Sequence, residues 1–254
     1  MIEVATLMMV TYNRLELTKK TIDNIIENTG RPFNLVIIDN DSKDDTPEFL
    51  RDLMLRHEME RQGLMKELVV VFNDKNKGIA IGRNQGLVEA NKLDTTWFST
   101  VDNDVLLPKG WLSDCIDILK ENKTYGMIGV NFEARSFPIV KSGKFEFQDK
   151  ARGNLGTACT VFNRTFHKMV GFFNTEYGLY GEEDADMGAR ARAVGFKIGY
   201  LKENGVHLGE GEADQGEYRE FKTKSHQDNL KQFQQNAASY FRNQRSPYIP
   251  CKVS

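Results

Sequence analysis

The chain has 254 residues, with 34 Lys and Arg against 36 Asp and Glu, a formal net charge of −2. Its 40% apolar and 28% charged residues are those of an ordinary folded protein, which excludes wholesale disorder. The near-neutral balance argues against a dedicated nucleic-acid binder, and three scattered cysteines, Cys115, Cys159 and Cys251, suit neither a disulfide framework nor a zinc site.

No apolar run approaches the roughly 20 residues of a membrane-spanning helix, and the first residues lack a basic leader followed by a long apolar stretch. The expectation is a cytoplasmic protein. Val4–Val10 is a short apolar run ending in Thr11-Tyr12-Asn13-Arg14. A helical stripe follows (Leu17, Thr21, Ile22, Ile25, Ile26), and Gly30 stops it. Phe33–Ile38 is a second strand, leading into Asp39-Asn40-Asp41-Ser42. Thr46 is placed to cap a helix with Pro47 at its first position, running to about Gln62. Leu68–Phe72 is a third strand, a helix follows Gly78, and Trp97–Val101 is a fourth strand. Strands that are apolar throughout, rather than alternating, indicate a parallel sheet covered on both faces. The first 130 residues therefore read as an α/β doubly wound unit.

The second half is more mixed. Residues 131–153 read as a hairpin or a flap that moves over a bound ligand. Leu155–Phe162 and Lys197–Leu201 are strand-like, and Glu183–Val194 is a helix stopped by Gly195. The polar tail carries a helical stripe of Leu230, Phe233, Ala237, Tyr240 and Phe241, which suits docking on its own core or pairing of subunits.

In an open parallel sheet, ligands bind beyond the carboxyl ends of the strands. Here those ends carry polar and acidic residues, among them Asp102-Asn103-Asp104 after the fourth strand. Two carboxylates at such a strand end repel each other unless a cation sits between them and a ligand. Mg2+ or Mn2+ suits that role because either is completed by phosphate oxygens and water. At this level an ordinary acidic loop is equally open. Glu182-Glu183-Asp184 fits a helix dipole as well as it fits a general base, and His207 alone points to nothing.

Taken in order, however, these segments resemble the family 2 glycosyltransferases of the GT-A fold. Thr11-Tyr12-Asn13-Arg14 is similar to the family's first nucleotide-binding loop, and Asp39-Asn40-Asp41-Ser42 with Asp44 and Thr46 to its stretch after the second strand. Asn76-Lys77-Gly78 with Gly82-Arg83-Asn84-Gln85-Gly86 looks like its next element. Asp102-Asn103-Asp104 looks like its Asp-x-Asp, and Glu183-Asp184-Ala185-Asp186 with Arg190 like its catalytic helix. The resemblance covers roughly residues 4–208.

It implies a Rossmann-like, mostly parallel sheet with helices on both faces. Residues 1–210 would form the catalytic domain, with 1–104 as nucleotide-binding half and 105–210 as acceptor-binding half. Residues 211–254 would be a polar helical extension. The resemblance further implies that Asp39 reads the base, usually uracil, within a pocket of Thr11, Tyr12 and Arg14. Arg83 and Asn84 would close that pocket near Asp102 and Asn103, which face the ribose and sugar. Asp104 would hold Mn2+ or Mg2+ on the diphosphate, with His207 as a further ligand. Asp184 would be the base and Glu183 its neighbour at the acceptor. The implied partners are a nucleoside-diphosphate sugar and a hydroxyl-bearing acceptor such as a carbohydrate or glycopolymer.

Two positions depart from the pattern: Asp41 stands where the family usually has Gly, and Gly82 where Ala is common. Two other readings compete. A sugar nucleotidyltransferase would lead its first strand into a Gly-rich loop, and no glycine precedes Gly30. A non-catalytic nucleotide-sugar-binding protein would keep the pocket without needing both Asp104 and Asp184. An excess of basic residues in 131–153 and from Asp214 onward suits a polyanionic acceptor or an ordinary solvated surface alike.

Overall fold

The computed structural model describes residues 3–60, 63–133, 136–150, 156–209 and 217–253. The first half alternates β1 (Ala5–Thr11), α1 (Leu15–Asn28), β2 (Phe33–Asp39), α2 (Thr46–Glu60), β3 (Met65–Phe72), α3 (Ile79–Lys92) and β4 (Trp97–Val101). There follow β5 (Val105–Leu106), α4 (Trp111–Glu121), β6 (Tyr125–Asn131), β7 (Ile139–Ser142), β8 (Phe145–Asp149), β9 (Cys159–Asn163) and α5 (Arg164–Val170). After a 3-10 turn at Thr175–Tyr177 come α6 (Glu183–Ala193), β10 (Lys197–Asn204), β11 (Val206–His207) and α7 (Glu217–Phe241).

One nine-stranded sheet runs β3-β2-β1-β4-β9-β6-β10-β8-β7. β1 to β4 are parallel, β9 is antiparallel to both its neighbours, and β10 is parallel to β6. Alternate residues of β1 serve two cores. Ala5, Leu7 and Met9 join Ile22, Ile25, Leu50 and Trp111 under α1, α2 and α4. Met8 joins Leu87, Phe166 and Met187 under α3, α5 and α6. Burial on both faces is why β1, β2 and β4 read as largely apolar runs, whereas β3, at the sheet edge, is half-buried to exposed.

One local expectation resolves differently. The cap of α2 falls to Asp44, whose Oδ1 accepts the Thr46 N–H at 3.1 Å, while the buried Thr46 hydroxyl finds no partner among the described residues. A short carboxylate two residues upstream reaches the free N–H more easily than the hydroxyl does. The expected hairpin is β7–β8 within the described part of 131–153 (134–135 and 151–153 lie outside the described residues), where β8 pairs with β10 and β7 forms the sheet edge, with Phe147 fully buried. Gly82 reflects close packing: a Cβ there would meet Val10 Cγ1 at 2.9 Å, so a larger residue would have to displace the Val10 side chain or α3.

Candidate active site

The carboxyl ends of β1, β2 and β4 open into a cleft of about 370 Å3, within the range of small-ligand sites. Thr11, Tyr12, Arg14, Arg83, Asp102, Asn103 and Asp104 line it, as do Glu183, Asp184 and His207 from the second half. Two predicted residues do not. Asp39 is buried at the end of β2, and its Oδ1 accepts from the Ser42 hydroxyl at 2.5 Å. Asn84 lies behind the cleft, where its amide bonds the backbone of Phe173 and Lys252. It ties the chain's last residues to α3 rather than facing a ligand.

The first loop is held in an uncommon backbone form. Asn13 (φ 56°) and Arg14 (φ 64°) are both left-handed, a conformation that L-residues adopt at some energetic cost. The loop after β2 fixes them: Asn13 N–H donates to Ser42 Oγ at 2.7 Å, Lys43 N–H to Asn13 Oδ1 at 2.8 Å, and Leu15 N–H to Asp44 Oδ2 at 3.1 Å. The result aims Arg14 at β4. Its Nη1 donates to Asp104 Oδ2 at 2.8 Å. Asp41 is left-handed too, at φ 69°, which explains why Asp serves where Gly is usual; Asp tolerates this region better than most residues.

His207 reaches Asp104 through a two-stranded ladder in which His207 pairs with Val105 and Val206 with Leu106. Leu208 N–H donates to the Asp104 carbonyl at 2.7 Å. Gly209 N–H donates to His207 Nδ1 at 3.2 Å, turning Nε2 to 3.6 Å from Asp104 Oδ1. Gly209 lies so close that a Cβ there would strike the Asp104 carboxylate. Burial, and then the neighbouring Asp102, push the Asp104 carboxyl up; His207, Arg14 and Lys222 oppose this.

One carboxylate and one imidazole are donors that Mn2+ accepts. Among the described residues, no three His, Cys, Asp or Glu side chains form a closed cage. The donor set therefore fits a cation that completes its shell with ligand oxygens, as phosphate-bound divalent cations do.

At the opposite wall, Arg83 bridges two elements. Its Nη2 donates to Asp102 Oδ1 at 2.8 Å and its Nη1 to Glu183 Oε1 at 3.0 Å, and its guanidinium lies over the Phe173 ring. Glu183 Oε2 is buried and has no partner among the described residues. Desolvation, with Asp184 beside it, pushes the Glu183 carboxyl up to about 7. Burial also raises Asp184, against the opposing charge of Arg83. Asn103 Nδ2 donates to Thr11 Oγ1 at 3.1 Å and Thr18 Oγ1 at 3.0 Å, so its amide fastens the Asp-x-Asp turn to α1.

Other lining residues were given no role by the sequence. Asn40 and Asn76 join through a hydrogen bond of 3.1 Å, within an amide network that includes Asn73 and Gln85. Leu179 and Tyr180 come from the turn before α6, and Phe221 and Lys222 from α7. α7 is docked on that turn and on α6: Asn229 donates to the Tyr177 carbonyl at 2.7 Å, His226 Nδ1 lies 3.1 Å from Glu182 Oε1, and the Tyr240 hydroxyl donates to Asp186 at 2.9 Å. The tail read as an extension thus forms part of the cleft wall. Its polar sequence, with no spacing that marks a ligand, gives no sign of this.

The family model described as Glycosyl transferase family 2 matches residues 6–173. The chain belongs to glycosyl transferase family 2. A second model, described as the N-terminal domain of galactosyltransferase, matches residues 138–222. No curated protein sequence matches the chain.

Among solved structures, the chain is similar to the mannosyltransferase PcManGT from Pyrobaculum calidifontis in complex with GDP-Man and Mn2+ (TM-score 0.64, 19% identity, 87% of this chain and 59% of that one). It is also similar to GalNAc-T7 with UDP, GalNAc and Mn2+ (TM-score 0.63, 13% identity, 81% and 44%). A third is S. aureus TarS 1-349 in complex with UDP (TM-score 0.57, 16% identity, 80% and 59%). The family 2 chain therefore has the GT-A fold and spans less than two thirds of the length of these three neighbours. Among the described residues, no helix is long and apolar enough to cross a membrane.

Proposed function

We propose that the chain is an inverting glycosyltransferase that moves a sugar from a nucleoside-diphosphate sugar, UDP-linked, to an acceptor hydroxyl with the help of Mn2+ or Mg2+. The observation that carries this reading is the placing of Asp104 with His207, and of Asp184 with Glu183, on one cleft at the strand ends. The GDP-Man, UDP and Mn2+ bound by the structural neighbours agree with it.

Transfer breaks a glycosyl–phosphate bond, and charge develops on the departing diphosphate. Asp104 and His207 would hold a divalent cation there, which when bound would supply Lewis-acid stabilisation of that charge. Arg14 and Lys222, on the same cleft, add positive charge on the phosphate side. Asp184 takes the acceptor's proton as its oxygen attacks the anomeric carbon from the opposite face. Glu183 lines the same cleft beside Asp184, on the side given to the acceptor. Arg83 holds Glu183 in place against Asp102. A single displacement with one base inverts the anomeric configuration, in contrast to the paired carboxylates of most glycosidases.

A thermal-shift series with UDP, GDP, CDP and dTDP, with and without Mn2+, tests the donor site, since ligands of the native state raise the melting temperature. One diphosphate is expected to give a Mn2+-dependent shift that Asp104→Asn abolishes. Asp184→Asn is expected to keep that shift and lose transfer to acceptor. A folded protein that shifts with none of the four would remove the proposal.

A further inference from the structure

Asp184 is held by little besides the start of its own helix. Its Oδ1 accepts from the next backbone N–H, that of Ala185, at 2.6 Å, and no other hydrogen bond or ion pair to its carboxylate is formed among the described residues. Where α6 begins therefore decides where this carboxylate stands. That start has no side-chain cap: Glu182, at the N-cap position, is left-handed (φ 70°) and makes no capping bond. The turn before it holds two more residues of positive φ, Gly178 (69°) and Gly181 (96°), and glycine restricts its own backbone least. The turn has to be fixed from outside.

Two elements do so. From the nucleotide-binding half, Ile79 N–H at the start of α3 donates to the Leu179 carbonyl at 3.0 Å, and a Cβ on Gly78 would meet Leu179 Cα at 2.7 Å. From the other side, α7 holds the turn through one amide. Asn229 Nδ2 donates to the Tyr177 carbonyl at 2.7 Å and to the Tyr180 carbonyl at 3.1 Å, with the Gly181 carbonyl at 3.5 Å. His226 on the same helix lies 3.1 Å from Glu182 Oε1. Asn229 itself does not line the cleft.

We propose, building on the functional reading above, that Asn229 is a positioning residue for Asp184. By fixing the carbonyls of the turn it sets how far α6 presents the base into the cleft, without touching either substrate. Such placement matters in the chemical step, where a displacement of about 1 Å can cost about 100-fold in rate.

The test uses the full chain with Mn2+, water as acceptor, and whichever of UDP-glucose, UDP-N-acetylglucosamine, UDP-N-acetylgalactosamine and GDP-mannose is turned over fastest. The water oxygen bonds the anomeric carbon, the glycosyl–phosphate bond breaks with its electron pair on the diphosphate, and Asp184 takes the proton. Released diphosphate then counts turnovers. Asn229→Leu is expected to lower kcat by about ten- to a hundredfold, while affinity for the free diphosphate, read by thermal shift, changes less than about threefold. Asn229→Asp, of the same size but without the amide protons, is expected to behave alike. Asn236→Leu is the control for lost stability. It removes a buried amide about two turns further along α7, bonded to the Tyr177 hydroxyl at 3.0 Å and Glu176 Oε2 at 3.3 Å rather than to the turn's carbonyls. It is expected to lower the melting temperature at least as far and to keep kcat within about threefold of wild type. Either Asn229 variant, folded and with wild-type kcat, overturns the proposal, as does an equal loss of kcat in Asn236→Leu. Wild type no faster than Asp184→Asn is a different failure: Asp184 is then not the base, and the functional reading falls together with the proposal.

Discussion

Arg83 on α3 and Glu183 at the start of α6 form a buried ion pair across 3.0 Å, joining segments 100 residues apart in sequence. Removing one partner strands a charge in a dry site. Arg83→Met is therefore expected to destabilise the protein by about 3–5 kcal/mol, measured by denaturant titration. Adding Glu183→Gln removes the stranded charge and should recover part of that loss. A double variant no more stable than the single one would show that the pair is not the source of the effect.

Because burial raises Asp184 above the ordinary 3.8 and Glu183 to about 7, the acid limb of activity should sit high. A general base works only when deprotonated, so a raised pKa moves the limb to higher pH and kcat/KM climbs toward neutrality. The profile of kcat/KM reports the free protein's groups. A limb centred at 3.8, as for an exposed aspartate, would argue against a buried carboxylate as the base.

His167 offers a stability measurement away from the cleft. Its Nδ1 donates to the Gly171 carbonyl at 3.1 Å, and its Nε2 accepts from Asn91 at 3.3 Å, an arrangement that requires the neutral ring. Burial lowers its pKa below 6.5. On acidification the unfolded chain therefore takes up this proton first. The contribution of His167 is complete above pH 6.5 and is lost as pH falls through 6.5 toward the folded value, at up to about 1.4 kcal/mol per pH unit. Glu183, with its raised pKa, acts with the opposite sign between 4.5 and about 7. The effect is thus read as the difference between wild type and His167→Gln across pH 5 to 7, which should shrink at the acid end.

Tyr240 anchors α7. Its hydroxyl and that of Tyr177 both donate to Asp186 Oδ1, at 2.9 and 2.8 Å, while Arg190 Nε donates to Oδ2 at 2.6 Å. Tyr240→Phe removes one bond to a buried charge, with an expected cost of about 2 kcal/mol. Hydrogen exchange should localise the loosening to α7. Since Phe221 and Lys222 on that helix line the cleft, nucleotide affinity should fall in the same variant. Unchanged exchange in α7 would show that the helix is held by other contacts.

The strand-end motifs were legible because parallel strands leave a strong signature: apolar runs such as Phe33–Ile38, each followed at once by polar residues that a ligand can use. The placing of Asp104 near His207 was not legible from spacing. It depends on the ladder between β5 and β11, two residues each, too short to leave a pattern. Asp39 and Asn84 sit in the right motifs, yet their side chains point into the protein, toward Ser42 and toward the backbone of Phe173 and Lys252. Sequence order does not record side-chain direction. α7 was legible as a helix but not as a cleft wall, since its hydrogen bonds to the turn before α6 are made by Asn229 and Asn236, residues as common on a solvated face, and its bond to α6 by the Tyr240 hydroxyl.

The position of α7 also sets a temporal order. During synthesis the chain emerges with β1 to β4, then α6, then His207, so the floor and the ion-pairing residues of the cleft exist before its last wall. Asp186 and Asn84 wait for partners more than 50 residues downstream, in Tyr240 and Lys252. A nascent chain halted before residue 217 would carry Asp104, Asp184 and His207 but neither Phe221 nor Lys222, and it would leave polar groups of α6 and α3 without their partners in Tyr240 and Lys252. The cleft is thereby complete only once α7 has emerged and docked.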